Sequence, residues 1–129
     1  MLFKEDGIKI FNACGKFSLN QSAALVKNSI RVITHDTGLM HIAAAFKKDI
    51  ISVWGNTVPE FGMYPYTSDI RRPMSDVRRE VWDVGRGTSN VLEVNGLPCR
   101  PCSKIGFEKC PKGHFKCMNQ IDEKVFEGL

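Results

Sequence analysis

Leu19, Ala23, Val26 and Ile30 recur at steps of three and four residues, while Gln21, Lys27 and Asn28 fall off that line. This is the pattern of one apolar face on a helix. Ser18-Leu19-Asn20-Gln21 opens it with capping-box spacing. Ser18 is expected to accept from the third helical N–H while Gln21 reaches back to Ser18. On either side the period changes. Residues 8 to 11 are a short apolar run, followed by a turn over residues 12 to 16 that contains Gly15. Val32 with Ile33, and then Ile50, Ile51, Ser52 and Val53, are β-branched runs too short to be helices. They lack strict alternation, as strands covered on both faces do. An Ala-rich helix fits between them. Strand, helix, strand, helix, strand predicts an α/β fold with a parallel sheet and right-handed crossovers.

Beyond Trp54 the periodicity fades. Residues 55 to 73 carry Gly and Pro at turn-forming positions with aromatics and Met among them, which predicts a long ordered loop. Residues 75 to 84 fit either a polar helix or a loop, and residues 90 to 94 an edge strand. Asp122 is placed to cap a terminal helix. The chain thus divides into a core at 8–66, a loop-rich part at 67–98, a Cys-rich tail at 99–121 and a short terminal helix at 122–128, all within one domain spanning 1–129. No internal repeat or low-complexity segment interrupts it.

Composition narrows the class. With 43% hydrophobic and 25% charged residues, the 129-residue chain has the make-up of an ordinary globular domain. Its net charge of +4 includes Arg pairs at Arg71-Arg72 and Arg78-Arg79. That is a mild bias toward anionic ligands and far from the basic stripe of a nucleic-acid binder. No apolar run reaches the roughly 20 residues that span a bilayer, and no signal-peptide pattern opens the chain. A cytoplasmic setting is expected, where the five Cys serve as thiols or metal ligands rather than disulfides.

The chemistry gathers at the junction before the second helix, His35-Asp36-Thr37-Gly38. In open parallel sheets ligands bind where strands end and helices begin, because the first helical N–H groups lack internal partners and carry the positive end of the dipole. Gly38 lets backbone approach a ligand closely, and Thr37 adds a hydroxyl beside its N–H. Both suit a phosphate or diphosphate. Asp36 does not, since a carboxylate repels an anion; it fits the neutral hydroxyls of a sugar. His41, in the first helical turn, can donate to a phosphate oxygen. The competing reading is that Asp36 or Thr37 simply caps the helix and His41 is a surface residue.

Residues 15 to 66, "GKFSLNQSAALVKNSIRVITHDTGLMHIAAAFKKDIISVWGNTVPEFGMYPY", resemble the C-terminal half of the heptosyltransferases of glycosyltransferase family 9. The family pattern is a Gly-Lys-x-Ser-Leu turn, an Ala-rich helix, an Asp-Ser/Thr-Gly-x-x-His junction and a strand ending in aromatic-Gly-x-Thr. The tail, "CRPCSKIGFEKCPKGHFKCM", is similar to Cys-rich ends of some members. The resemblance implies a Rossmann-like, three-layer parallel sheet, the nucleotide-sugar-binding C-terminal domain of a GT-B fold. It implies that Asp36 contacts the donor sugar, that Thr37 and Gly38 hold the diphosphate, and that His41 supports the site. It places Phe17 near the base, although a hydrophobic staple onto the following helix is an equal reading. ADP-heptose is the implied donor, a lipopolysaccharide core or related glycolipid the acceptor, and no metal cofactor is required. Peripheral contact with the inner face of the inner membrane is compatible with the charge.

Members of the family are more than twice this length. Their N-terminal domain, which carries the acceptor pocket and the general base, has no counterpart in these residues, so the chain is expected to be a fragment with no catalytic residue of its own. Two alternatives stay open. Sugar-nucleotide epimerases share the GT-B fold and a similar junction. The tail also offers Cys99, Cys102, Cys110, Cys117 and His114, five soft groups where a structural zinc site needs four, as in a small zinc-binding interaction module. Dinucleotide and Walker phosphate-loop signatures are absent, and nothing specifies a hydrolase built on Cys14.

Overall fold

The computed structural model describes residues 2–5, 8–65, 82–84 and 87–122. Helix α1 (Leu19–Asn28) begins at Ser18 with the expected reciprocal cap. Ser18 Oγ accepts from the Gln21 N–H at 3.4 Å, and Gln21 Oε1 accepts from the Ser18 N–H at 2.9 Å, satisfying two orphan donors at once. The second helix, α2 (Gly38–Ala45), ends differently. Lys47 takes a left-handed φ of 54°, its N–H bonds Ala44 O, and the Lys48 N–H reaches back to Ala43 O. That is a Schellman closure with lysine where glycine is usual.

Three strands run parallel: β3 (Arg31–His35), β4 (Asp49–Trp54) and β6 (Gly87–Glu93), with β5 (Trp82–Val84) antiparallel on β6. The order is β3-β4-β6-β5, and the register sets Val32 beside Ile50 and Ser89, and Thr34 beside Ser52 and Val91. The face bearing these residues meets the helices. Met40, Ala43 and Ala44 of α2 pack with Ile50 and Trp54, and Val26, Val32 and Val91 close the rim. This supplies a helical layer on one face of a Rossmann-like sheet. Small Ala43 and Ala44 let the helix approach closely enough for Trp54, 1% exposed, to fill the centre. Its Nε1 donates to Ser52 Oγ at 3.0 Å, and that hydroxyl donates to Asn90 O, so a buried polar pair is satisfied.

Five expectations change. The run at residues 8 to 11 does form a strand, β2 (Ile8–Phe11), but it pairs antiparallel with β1 (Leu2–Glu5) in a separate two-stranded sheet. The sequence between them, Asp-Gly, is a pair that favours tight hairpins. The strand near residue 90 starts earlier, at Gly87, and is interior to the sheet rather than at its edge. Among the described residues, β4 is buried at successive positions facing both ways, Ile50, Ile51 and Ser52. The edge strand β3 alternates exposed and half-buried positions, leaving Ile33 56% exposed. On α1, Ala23 and Val26 are half-buried, but Leu19 lies in the overhanging first turn and Ile30 lies past the helix end, and both are exposed. The segment expected as a polar helix or loop at 75–84 is described only at 82–84, a strand. Beyond Asp122 the expected terminal helix lies outside the described residues; a short helix, α3 (Lys116–Asn119), precedes it. Among the described residues no helix is long and apolar enough to cross a membrane.

Candidate functional site

Because β3, β4 and β6 are parallel, their carboxyl ends share one edge of the sheet, at His35, Trp54 and Glu93. The chain leaves β3 through Asp36 and Thr37 and turns at once into α2. Thr37 is the N-cap residue, with extended backbone (φ −145°, ψ 164°), yet its side chain makes no capping bond. Its hydroxyl lies 3.2 Å from Thr34 Oγ1, and Thr34 Oγ1 donates to His35 O at 3.0 Å. Thr34 has one hydroxyl hydrogen, so Thr37 is the donor of that pair. The capping reading therefore loses its geometric basis at Thr37. The open end of α2, with its N–H groups and positive dipole end, faces the ligand edge of the sheet.

Asp36 is half-buried. Burial pushes its carboxyl above the usual range, and the nearby charge of His41 pulls it back. The junction thus brings Asp36 and His41 together across the first turn of α2, with Thr37 and Gly38 between them in sequence. A carboxylate beside a half-buried imidazole can take hydrogen bonds from neutral hydroxyls while the imidazole donates to an anion, so one small surface offers both chemistries. Gly38 is exposed, and a Cβ built there meets nothing within 4 Å. The fold itself does not demand glycine at this position. Gly38→Ala is accordingly expected to stabilise the free chain by roughly 0.4–1 kcal/mol, through the unfolded state. If a diphosphate lies on this backbone, the same methyl should weaken it about tenfold or more, close to 1.4 kcal/mol. Thermal unfolding and calorimetry on one variant read both effects.

Phe17 lies just before the Ser18 cap at the start of α1. Its described ring contact is Phe11, centroid to centroid 6.4 Å, and Lys16 Nζ lies 4.7 Å from the Phe11 ring centroid. A staple is not formed, because the residue four positions into α1 is Ser22, which has no apolar surface to receive Phe17.

Arg100 was not singled out in the sequence. Its guanidinium donates to Gly55 O at 2.6 Å, Thr57 O at 2.9 Å, Val94 O at 3.2 Å and Glu93 Oε2 at 2.7 Å. Its side chain is 6% exposed. The fork ties the loop after β4 to the end of β6, so the aromatic-Gly-x-Thr segment is held from the tail. Beside it opens a cleft of about 410 Å³ lined by Val58, Glu60, Phe61, Glu93, Gly96 and Arg100. Nearby, burial pushes the Tyr64 phenol up to about 12, and Glu60 and Glu93 add to the shift. The phenol stays neutral at physiological pH.

The tail closes over the same loop. The Cys102 N–H donates to Asn56 O at 2.9 Å, and Asn56 Nδ2 donates to Phe107 O at 2.9 Å. Gly55 sits under Met118, whose Sδ would be 2.7 Å from an added Cβ. The cysteines are free thiols. Among the described residues no three His, Cys, Asp or Glu side chains already stand in a metal-binding arrangement.

Comparison with known proteins places this geometry. The chain is 44% identical over 50 residues to lipooligosaccharide heptosyltransferase 2 of Haemophilus influenzae, covering 39% of this chain and 14% of that protein. It is 25% identical over 127 residues to lipooligosaccharide heptosyltransferase 2 of Campylobacter jejuni, covering 98% of this chain and 33% of that protein. Lipopolysaccharide heptosyltransferase 2 of Escherichia coli is 34% identical over 50 residues, covering 39% of this chain and 14% of that protein. The chain therefore spans about a third, at most, of the length of these relatives. No solved structure is significantly similar to it. The model of glycosyltransferase family 9 (heptosyltransferase) matches residues 4–85, more than half of the sequence, and takes in both the α1 cap and the 36–41 junction. The chain belongs to glycosyltransferase family 9, the heptosyltransferase family.

Proposed function

We propose that the chain is the donor-binding part of a glycosyltransferase that moves a sugar, heptose carried on ADP, to a lipopolysaccharide-type acceptor. The observation that carries this reading is the end of α2 left without a side-chain cap by Thr37 at the carboxyl edge of the parallel sheet, in a chain of this family. In this reading the first N–H groups of α2, at Gly38 and beyond, receive the diphosphate, and the Thr37 hydroxyl turns its hydrogen from Thr34 Oγ1 to a phosphate oxygen when the ligand binds. Asp36 accepts hydrogen bonds from the sugar hydroxyls. His41 donates to a phosphate oxygen, and its charge opposes the burial that pushes the Asp36 carboxyl up.

Inversion at an anomeric carbon needs an aligned acceptor hydroxyl, a base to take its proton and a stabilised leaving diphosphate. The α2 terminus supplies the third. We assign no catalytic residue to the described junction and place the base on the acceptor-binding domain that the family resemblance implies. On that reading the chain binds donor and does not transfer sugar alone. Its place is the cytoplasmic side of the inner membrane, in peripheral contact with the glycolipid acceptor, and it needs no metal for transfer. The test is thermodynamic. A nucleotide-sugar at about 100 times its dissociation constant is expected to stabilise the fold by roughly 2.7 kcal/mol. A melting curve that ignores ADP-sugars and ADP at every concentration would sink the proposal.

A further inference from the structure

We propose that Cys99, Cys102, Cys110 and Cys117 jointly bind a Zn2+ ion, with His114 donating a hydrogen bond to one ligating sulfur, and that this ion fastens the tail to the loop after β4. The first ground is what holds the tail together. Residues 99–122 contain one helix of four residues, and Ile105, Phe107 and Phe115 are 91%, 50% and 39% exposed. Cys117 is the buried hydrophobic residue of this segment. Segments that cannot build a core are held by disulfides or a metal, and these thiols are unpaired.

The second ground is the surroundings of the sulfurs. Cys110 opens a tight turn in which the Gly113 N–H bonds Cys110 O at 3.0 Å and the Phe115 N–H bonds Cys110 Sγ at 3.4 Å. Gly113 and Phe115 both take left-handed φ, 72° and 49°, to aim these groups inward. The His114 ring beside that turn reaches Cys99, with Nε2 3.7 Å from Cys99 Sγ, while the Cys102 N–H bonds Asn56 O and Cys117 lies against Gly55. These contacts gather the four cysteines around residues 55–56 and 113–115, and a soft cation is what several thiols brought to one place bind. Ligation releases the four thiol protons and leaves a dianionic centre. Residues 99–121 carry Arg100, Lys104, Lys109, Lys112 and Lys116 against a single acid, Glu108, a charge balance that suits it.

His114 is the outer partner on tautomer grounds. Its Nδ1 accepts from the Lys116 N–H at 3.1 Å, so in the neutral ring the proton sits on Nε2. Nε2 lies 3.7 Å from Cys99 Sγ, placing an N–H donor on that sulfur. Four thiolates then fill the four positions of a structural zinc centre. Closure requires the sulfurs to turn inward, Cys102 Sγ leaving its bond to Cys99 O. The Cys99 to Cys102 turn is already seated on the loop by the Cys102 N–H and by Arg100, and Cys117 Sγ is 4.0 Å from a Cβ added at Gly55. The ion would lock both ends of the tail against 55–57.

The experiment uses the full chain purified without chelator. Elemental analysis is expected to find one Zn2+ per chain. A thiol reagent should then titrate only Cys14, and all five thiols once chelator and denaturant are present. Cobalt substitution should give the visible spectrum of a tetrahedral all-thiolate site. His114→Gln should keep stoichiometric zinc with affinity lowered about 10–100-fold, whereas Cys110→Ser should lose it. Little zinc with five freely reactive thiols would overturn the proposal. So would thiols unmasked by reductant and not by chelator, which would indicate two disulfides. Should the serine variant fail to fold, the zinc content and cobalt spectrum of the unaltered chain still decide.

Discussion

Replacing Arg100 with alanine is expected to cost about 3–5 kcal/mol of folding stability, because it strands a mostly buried carboxylate. Glu93 is 17% exposed at its side chain and takes its ion pair from Arg100 at 2.7 Å. The carbonyls of Gly55, Thr57 and Val94 lose donors in the same step. Lysine is a poor substitute. One ammonium cannot reproduce the planar fork that reaches three carbonyls and a carboxylate at once, so Arg100→Lys should recover less than half of the loss. Adding Glu93→Gln to Arg100→Ala should restore part of it by removing the stranded charge. Urea unfolding of these variants gives the numbers. A loss below about 1 kcal/mol for Arg100→Ala would show the pair to behave as a surface ion pair.

Trp54→Ala should be as damaging, about 3–5 kcal/mol, since it empties the centre of the helix–sheet contact. Trp54 touches the cluster of Met40, Ala43, Ala44 and Ile50, none of which is large enough to collapse into the space of an indole. Trp54→Phe separates volume from polarity. Ser52 still donates to Asn90 O but loses the indole N–H. A smaller cost of about 1–3 kcal/mol is expected, mixing lost volume with one lost hydrogen bond. If Trp54→Ala cost no more than Trp54→Phe, the site would be collapsing and the described core would be wrong at its centre.

Local signals in the sequence were the reliable ones. Ser18 and Gln21 announce the start of α1 because a capping box depends on residues three apart, and the Asp-Thr-Gly junction sits between two elements of clear period. Interactions between distant residues left weaker traces. Ile8–Phe11 reads as a strand from its own residues, but its partner is set by a neighbour a hairpin away. The interior place of β6 depends on β5, which adds a single antiparallel strand of three residues outside it. Ile30 and Leu19 keep the spacing of a buried face although the helix is too short to bury them. Arg100 was hidden for the same reason: its partners lie at positions 55, 57, 93 and 94, and no spacing rule links them to a Cys-rich turn.

The central claim is that residues 36 to 38 hold a diphosphate-linked sugar, and calorimetry on Asp36→Ala tests it most directly. The account predicts that the intact nucleotide-sugar weakens by about 1.5–3 kcal/mol, the worth of a hydrogen bond to a charged group. The bare nucleoside diphosphate should bind as well as before or slightly tighter, because a negative charge near the phosphates has gone. Equal losses for the two ligands would contradict the sugar-contact role. Unchanged binding of both, with about 0.5–2 kcal/mol of stability lost in the absence of ligand, would make Asp36 a helix cap and nothing more.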